Sequence, residues 1–181
     1  MMMNQHNPFV IEQAKHEDAS AIAKLQIASL RASHKAFFPP HLHRLVLPPN
    51  DVVPNGKAWL GWLKRANAYT AVSRHQTILT GFTTIHKKKG DESLAEIAAY
   101  FVHPEYWRQG IGLQLWTHLC EESTSLEIQK FVVWVLDNNQ RAKQFYASLG
   151  FKSNGNTRTF LEHGAETINE IQLSCLLKVD G

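Results

Sequence analysis

The sequence predicts an α/β (α+β) fold: a mixed sheet of about seven strands with helices on both faces. Three observations carry this expectation. A glycine-bearing stretch, Trp107-Arg108-Gln109-Gly110-Ile111-Gly112-Leu113-Gln114-Leu115, joins an apolar run to a segment of helical spacing. A second apolar run, 131–136, leads into another helical segment. Two final runs, 151–162 and 166–177, read as strands around the turn at His163-Gly164.

Each element follows from its residues. Phe9–Gln13 reads as a short first strand. Residues 16 to about 36 read as a helix, with Ile22, Leu25 and Ser29 or Leu30 on one face. Glu17 and Asp18 fall in its first turn, where the helix dipole favours acids. Phe37-Phe38 then meets Pro39-Pro40, which ends regular helix. Pro48, Pro49 and Pro54 make the next stretch loop-rich, with a short helix expected at 41–46. Residues 57–67 return to helix.

Residues 68–74 and 78–87 read as an antiparallel strand pair, and the lysines of 87–89 as a solvated turn. The strand at 94–102 precedes the glycine loop and a helix to about residue 125. The run 131–136 is apolar at nearly every position, as a central buried strand would be. Residues 138–149 read as a helix stopped by Gly150. No linker or repeat interrupts the pattern, so one domain over 1–181, with its core at about 8–177, is expected.

Composition narrows the functional classes. Hydrophobic residues make 44% of the 181, which suits a packed core. No apolar run approaches the roughly 20 residues that span a bilayer, and the start lacks a signal-peptide core. A cytoplasmic protein with no membrane partner is expected. The net charge of +3 is too mild to imply nucleic acid. Cys120 and Cys175 read as small core residues rather than a disulfide. His41 and His43 have no third ligand near in sequence, so no metal is expected.

The glycine stretch has the makings of an anion site. Gly110 and Gly112 allow a tight turn and close approach of a ligand. The first amides of a new helix lack internal partners and, with the dipole, suit a phosphate or pyrophosphate. Arg108 adds a charge beside it. No Gly-Lys-Ser/Thr follows, and Leu115 stands where a dinucleotide fingerprint would have its third glycine. Alone, the pair also reads as a simple turn before a core helix.

Two motifs sharpen the reading. Val102-His103-Pro104-Glu105-Tyr106 followed by Arg108-Gln109-Gly110-Ile111-Gly112 resembles the acyl-CoA motif of the GNAT superfamily of N-acetyltransferases. Asn139, Ala142, Phe145-Tyr146 and Leu149-Gly150-Phe151 resemble that family's second motif, in the expected order. The strand and helix order over about 8–177 fits too. One position departs: Trp107 stands where the pattern has Gln or Arg, which leaves Arg108 to supply a side-chain contact to the pyrophosphate.

The resemblance implies a mostly antiparallel sheet and transfer of an acetyl group from acetyl-CoA to an amine. It implies that the amides of Arg108, Gln109, Gly110, Ile111, Gly112 and Leu113 hold the pyrophosphate. The strands 94–102 and 131–136 would splay, and the pantetheine arm would pair with free backbone groups near Phe101 and Val102. One amide there would polarise the thioester carbonyl. Asn139 would bond the arm or order the strand end. Tyr146 matches the family's proton donor for the departing thiolate; core packing is its other reading. Glu96 matches a general base used by several members, and equally reads as an exposed strand glutamate.

Ser29, Arg31 and Phe37 lie where the family builds its acceptor pocket, though helix surface and packing explain them as well. Asp51 is the only acid between Ser20 and Asp91, which disfavours a polycation as acceptor. Arg31, Lys35 and Arg44 suit a carboxylate, and with Phe37, Phe38, Trp59 and Trp62 nearby in sequence a small amine carrying an apolar or acidic group, such as an amino-acid-like compound, is expected. The alternatives are a peptide or protein amine, or a non-catalytic acyl-CoA sensor. A homodimer through the last strands would also fit the family.

Overall fold

The computed structural model describes residues 8–47, 49, 54 and 56–177. Pro48 and Asp51 therefore lie outside the described residues. One sheet carries the strands β1 (Phe9–Gln13), β2 (Ala68–His75), β3 (Ile78–Lys88), β4 (Asp91–Val102), β5 (Lys130–Leu136), β6 (Lys152–His163) and β7 (Glu166–Leu176). Their order is β1-β2-β3-β4-β5-β7-β6. The helices α1 (Ala19–His34), α2 (His43–Val46), α3 (Lys57–Leu63), α4 (Ile111–Ser125) and α5 (Gln140–Ser148) flank it.

The sheet is mixed for a topological reason. β1 with β2, β5 with β7 and β6 with β7 run antiparallel. β4 and β5 are parallel, because α4 lies between them in the chain and a crossover returns the second strand in the same sense. Their pairing covers Leu94↔Lys130 to Ile97↔Val133, while β4 itself continues to Val102.

Two compact units can be described. One holds the residues up to Thr84 together with Ala99–Leu119. Its core joins Ile22 and Leu25 of α1 to Trp59 of α3, Val72 of β2 and Phe82 of β3. The Trp59 ring meets Phe82 edge-on at 4.9 Å, and its indole N–H donates to Gln26 at 2.9 Å. Buried hydroxyls of β2 and β3 pair across the strands, Thr70 with Thr84 and Ser73 with Thr80, each at 2.9 Å. That pairing lets polar residues sit in a sheet interior without cost.

The other unit holds Ile85–Ala98 and the residues from Cys120 onward. Phe131, Val133 and Val135 of β5 are buried with Leu173 of β7, Tyr146 and Phe151. By contrast, β6 is exposed along almost its whole length.

Several boundaries differ from the sequence reading. The first helix begins with a 3-10 turn at His16–Asp18, since Asp18 accepts from the Lys15 amide at 2.8 Å and is held by Arg74. The segment at 41–46 splits into a 3-10 turn, Pro40–Leu42, and α2. α3 ends at Leu63, four residues before the expected 67. β4 starts at Asp91, earlier than expected, because the turn tightens to Lys89-Gly90.

Candidate active site

In the first unit, the chain leaves β4, makes a 3-10 turn at Pro104–Tyr106 and enters α4 at Ile111. Ile111, Leu115 and Leu119 are buried and anchor one face of α4. Arg108, Gln109 and Gly110 stay exposed, as does Leu113. Arg108 has φ +67° and Gly110 φ +81°. Gly110 steps directly into the right-handed Ile111 of α4, and a left-to-right-handed step of that kind turns successive amides to one side, an anion-binding arrangement. The first amides of α4 lack helical acceptors and add the positive end of the dipole. Amides presented in this way suit an anion.

Three side chains tie the loop to its surroundings. The Tyr100 hydroxyl, from β4, donates to the Gly112 carbonyl at 2.5 Å. The Gln109 amide donates to the Glu105 carbonyl at 3.2 Å, across the turn. The Trp107 indole N–H donates to the Val102 carbonyl at 2.7 Å. Trp107, the position that departs from the motif, is thus spent on the strand end. Gly81 of β3 supplies the seat: a Cβ there would meet Ile111 Cγ2 at 3.0 Å and the Phe101 carbonyl at 3.2 Å. Sequence reading missed Gly81, Tyr100 and the bond made by Trp107. Gly81 and Tyr100 act on residues far along the chain, and the Trp107 bond, though only five residues back, depends on how the loop folds onto the strand end.

The acceptor candidates have definite places. Ser29 is buried and its hydroxyl donates to the same Val102 carbonyl at 3.1 Å. Of the groups expected to be open to a pantetheine arm, that carbonyl is therefore taken. The Phe101 ring packs against Phe82, with ring centroids 5.6 Å apart. An Arg31 Nη2 donates to the Pro49 carbonyl, while its Nε is buried with no hydrogen-bond partner among the described residues. Phe37 lies in the turn after α1, its amide donating to the His34 carbonyl at 3.0 Å. His43 bonds the Phe38 carbonyl at 2.8 Å.

The second unit holds the remaining candidates. Asn139 caps α5, its Oδ1 accepting from the Ala142 amide at 3.0 Å. Lys143 grips Asp137 at 3.0 Å and fixes the turn before that cap. Tyr146 is buried, edge-on to Phe145 at 5.3 Å and to Phe151 at 5.2 Å. Burial raises its phenol above the usual range, so it stays protonated at neutral pH. Glu96 lies on β4 opposite Val132 of β5, its carboxylate paired with the Lys88 ammonium and 15% exposed. The Cys120 thiol is pushed up to about 11, first by burial and then by Cys175 and Glu121, so it stays in the thiol form at neutral pH.

Comparison with known proteins follows the same lines. Residues 27–151 match the model of the acetyltransferase (GNAT) family, a stretch that draws on both compact units. An uncharacterized N-acetyltransferase of Mycobacterium tuberculosis is 31% identical over 88 residues, 49% of this chain and 54% of that protein. The match thus spans about half the length of such curated relatives. The ribosomal-protein-S18-alanine N-acetyltransferase of Escherichia coli superposes with a TM-score of 0.71 at 16% identity, covering 96% of both chains. The yncA protein of Salmonella typhimurium, solved with its cofactor acetyl-CoA, gives 0.71 at 17% identity and the same coverage. At such identities these structures testify to the fold. With the family model matched over residues 27–151, more than half of its length, this chain belongs to the GNAT acetyltransferase family.

Proposed function

We propose that the protein transfers an acetyl group from acetyl-CoA to a primary amine of a small molecule, and that residues 8–177 act as one catalytic domain. The observation that carries this is the loop at 107–113, with left-handed Arg108 and Gly110 opening onto the start of α4. Backbone amides of that kind favour a phosphate-bearing cosubstrate. Acetyl-CoA supplies the activated acetyl thioester. Arg108 to Leu113 hold its pyrophosphate, and the end of β4 at Phe101 and Val102 lines its arm. Asn139 orders the start of α5.

The residues left to the chain are an acid and a base. An alkyl amine has a pKa near 10 and must lose a proton to attack. Glu96 accepts that proton, directly or through water. As the carbon–nitrogen bond forms and the carbon–sulfur bond breaks, Tyr146 donates to the sulfur, and the second proton shed by the acylated nitrogen returns its phenolate to the acid form. Burial keeps its phenol protonated, so a donor is always present.

For the acceptor we infer a small amine carrying a carboxylate. Arg31 has a buried Nε with no hydrogen-bond partner among the described residues, and a charged donor left so is costly. A carboxylate would satisfy it. The test is a panel of amino-acid-like amines, polyamines and basic peptides, read by release of CoA thiol, in wild type and Arg31→Ala. Turnover of amino-acid-like amines that Arg31→Ala weakens supports the reading. Preference for polyamines or peptides removes the acceptor class. Tight acetyl-CoA binding without turnover of any amine removes catalysis and leaves a sensor.

A further inference from the structure

The Val102 carbonyl is held twice. The Trp107 indole N–H donates to it at 2.7 Å, and the Ser29 hydroxyl at 3.1 Å. A carbonyl oxygen has two lone pairs, so both are filled. The donors come from opposite directions in the chain, Ser29 from α1 and Trp107 from the loop that leads into α4. The next residue is fixed as well: the His103 amide donates to the Thr80 carbonyl of β3 at 2.8 Å. The last peptide of β4 is therefore clamped on both sides. An indole has one donor and no charge, so this position offers a phosphate far less than Gln or Arg would.

We propose that Trp107 is a positioning residue for the acyl-CoA arm: with Ser29 it clamps the Val102 carbonyl and fixes the strand end along which the arm lies. The proposal rests on the acetyl-CoA reading above. Its consequence is that the site recognises the arm along a rigid edge whose final carbonyl is already spent. Trp107 and Ser29 then act as one device, although they lie in different elements. Ser29 serves the donor substrate through that carbonyl, and the amine acceptor not at all.

Kinetics of Trp107→Phe, Ser29→Ala and the double variant test this. Wild-type turnover of acetyl-CoA is measured first, and its absence would sink the function itself rather than the clamp. Each single change removes one donor; Ser29→Ala changes only a hydroxyl, whereas Trp107→Phe also gives up part of the ring. Each should raise the KM for acetyl-CoA by roughly three- to tenfold, the scale of one hydrogen bond. The kcat and the KM for the amine should stay within about twofold in either variant. Because both donors act on one atom, the two KM effects should combine to less than their product. Effects that multiply, a Trp107→Phe KM that is unchanged or lower, or a loss confined to kcat would overturn the clamp. So would a Ser29→Ala effect on the amine KM alone, which would return Ser29 to the acceptor pocket. If Trp107→Phe does not fold by thermal melting, Ser29→Ala decides alone by the same split between the two KM values.

Discussion

At the scale of single residues, the proposed acid and base, Tyr146 and Glu96, can each be tested by removing one group. Tyr146→Phe keeps the ring between Phe145 and Phe151 and removes only the donor. Its kcat should fall by roughly 10²-fold or more, with acetyl-CoA affinity little changed. A fully active Tyr146→Phe enzyme would make the residue a packing element. The raised phenol also leaves a signature in stability. Its folded pKa lies above the unfolded value, so its stabilising contribution is complete below about pH 10 and drains away as pH rises beyond. Wild type should therefore lose up to about 1.4 kcal/mol per pH unit more than Tyr146→Phe above pH 10. Denaturant melts of both proteins from pH 9 to 11.5 would show the divergence, and parallel curves would contradict it. Glu96→Gln should lower kcat/KM most at neutral pH and recover part of it as pH approaches that of a free amine. An equal deficit at every pH would deny Glu96 the role of base.

At the scale of elements, the loop before α4 stores its function in backbone conformation. Gly110 sits at φ +81°, where a β-branched residue is strained, although Gln114 Nε2 at 3.7 Å would leave room for a Cβ. The cost is conformational, and Gly110→Val should abolish acetyl-CoA binding while the fold persists. Binding titrations beside circular dichroism would check it. Arg108 holds a similar angle with a full side chain. A left-handed non-glycine residue costs about 1–2 kcal/mol, offset in part by about 0.4–1 kcal/mol of chain entropy that glycine adds to the unfolded state. Arg108→Gly should thus be more stable than Arg108→Ala by about 0.5 kcal/mol or more, read as a difference in denaturation midpoint. Gly81 acts by shape, and Gly81→Ala should push against Ile111 Cγ2 and the Phe101 carbonyl. Expected are a lower melting temperature and weaker acetyl-CoA binding together, because the seat of α4 and the cosubstrate loop are one construction.

At the scale of the whole molecule, binding and stability are linked by mass action. Acetyl-CoA at 100 times its dissociation constant should stabilise the folded chain by about 2.7 kcal/mol. A thermal shift in wild type that is absent in Gly110→Val would show that the loop carries this linkage. A shift of equal size in both would place binding elsewhere. Among the described residues no helix is long and apolar enough to cross a membrane.

Much of this molecule is local and so was legible from the chain alone. The period of Ile111, Leu115 and Leu119, the cap at Asn139 and the apolar run of β5 are set within a few residues. Neighbours in sequence determine them, whereas the order of the strands across the sheet, with β7 between β5 and β6, is set by pairing between distant segments. The two motifs also sufficed to name the family. What only the tertiary structure decided is the pairing of side chains between different elements. Ser29 and Trp107 converge on Val102, Tyr100 grips Gly112, Gly81 admits Ile111, and Lys88 pairs with Glu96. Hydroxyl, indole and ammonium groups have many possible partners, and only the folded backbone selects one. A motif position therefore reveals its type of residue in the sequence, while the atom it serves emerges from packing.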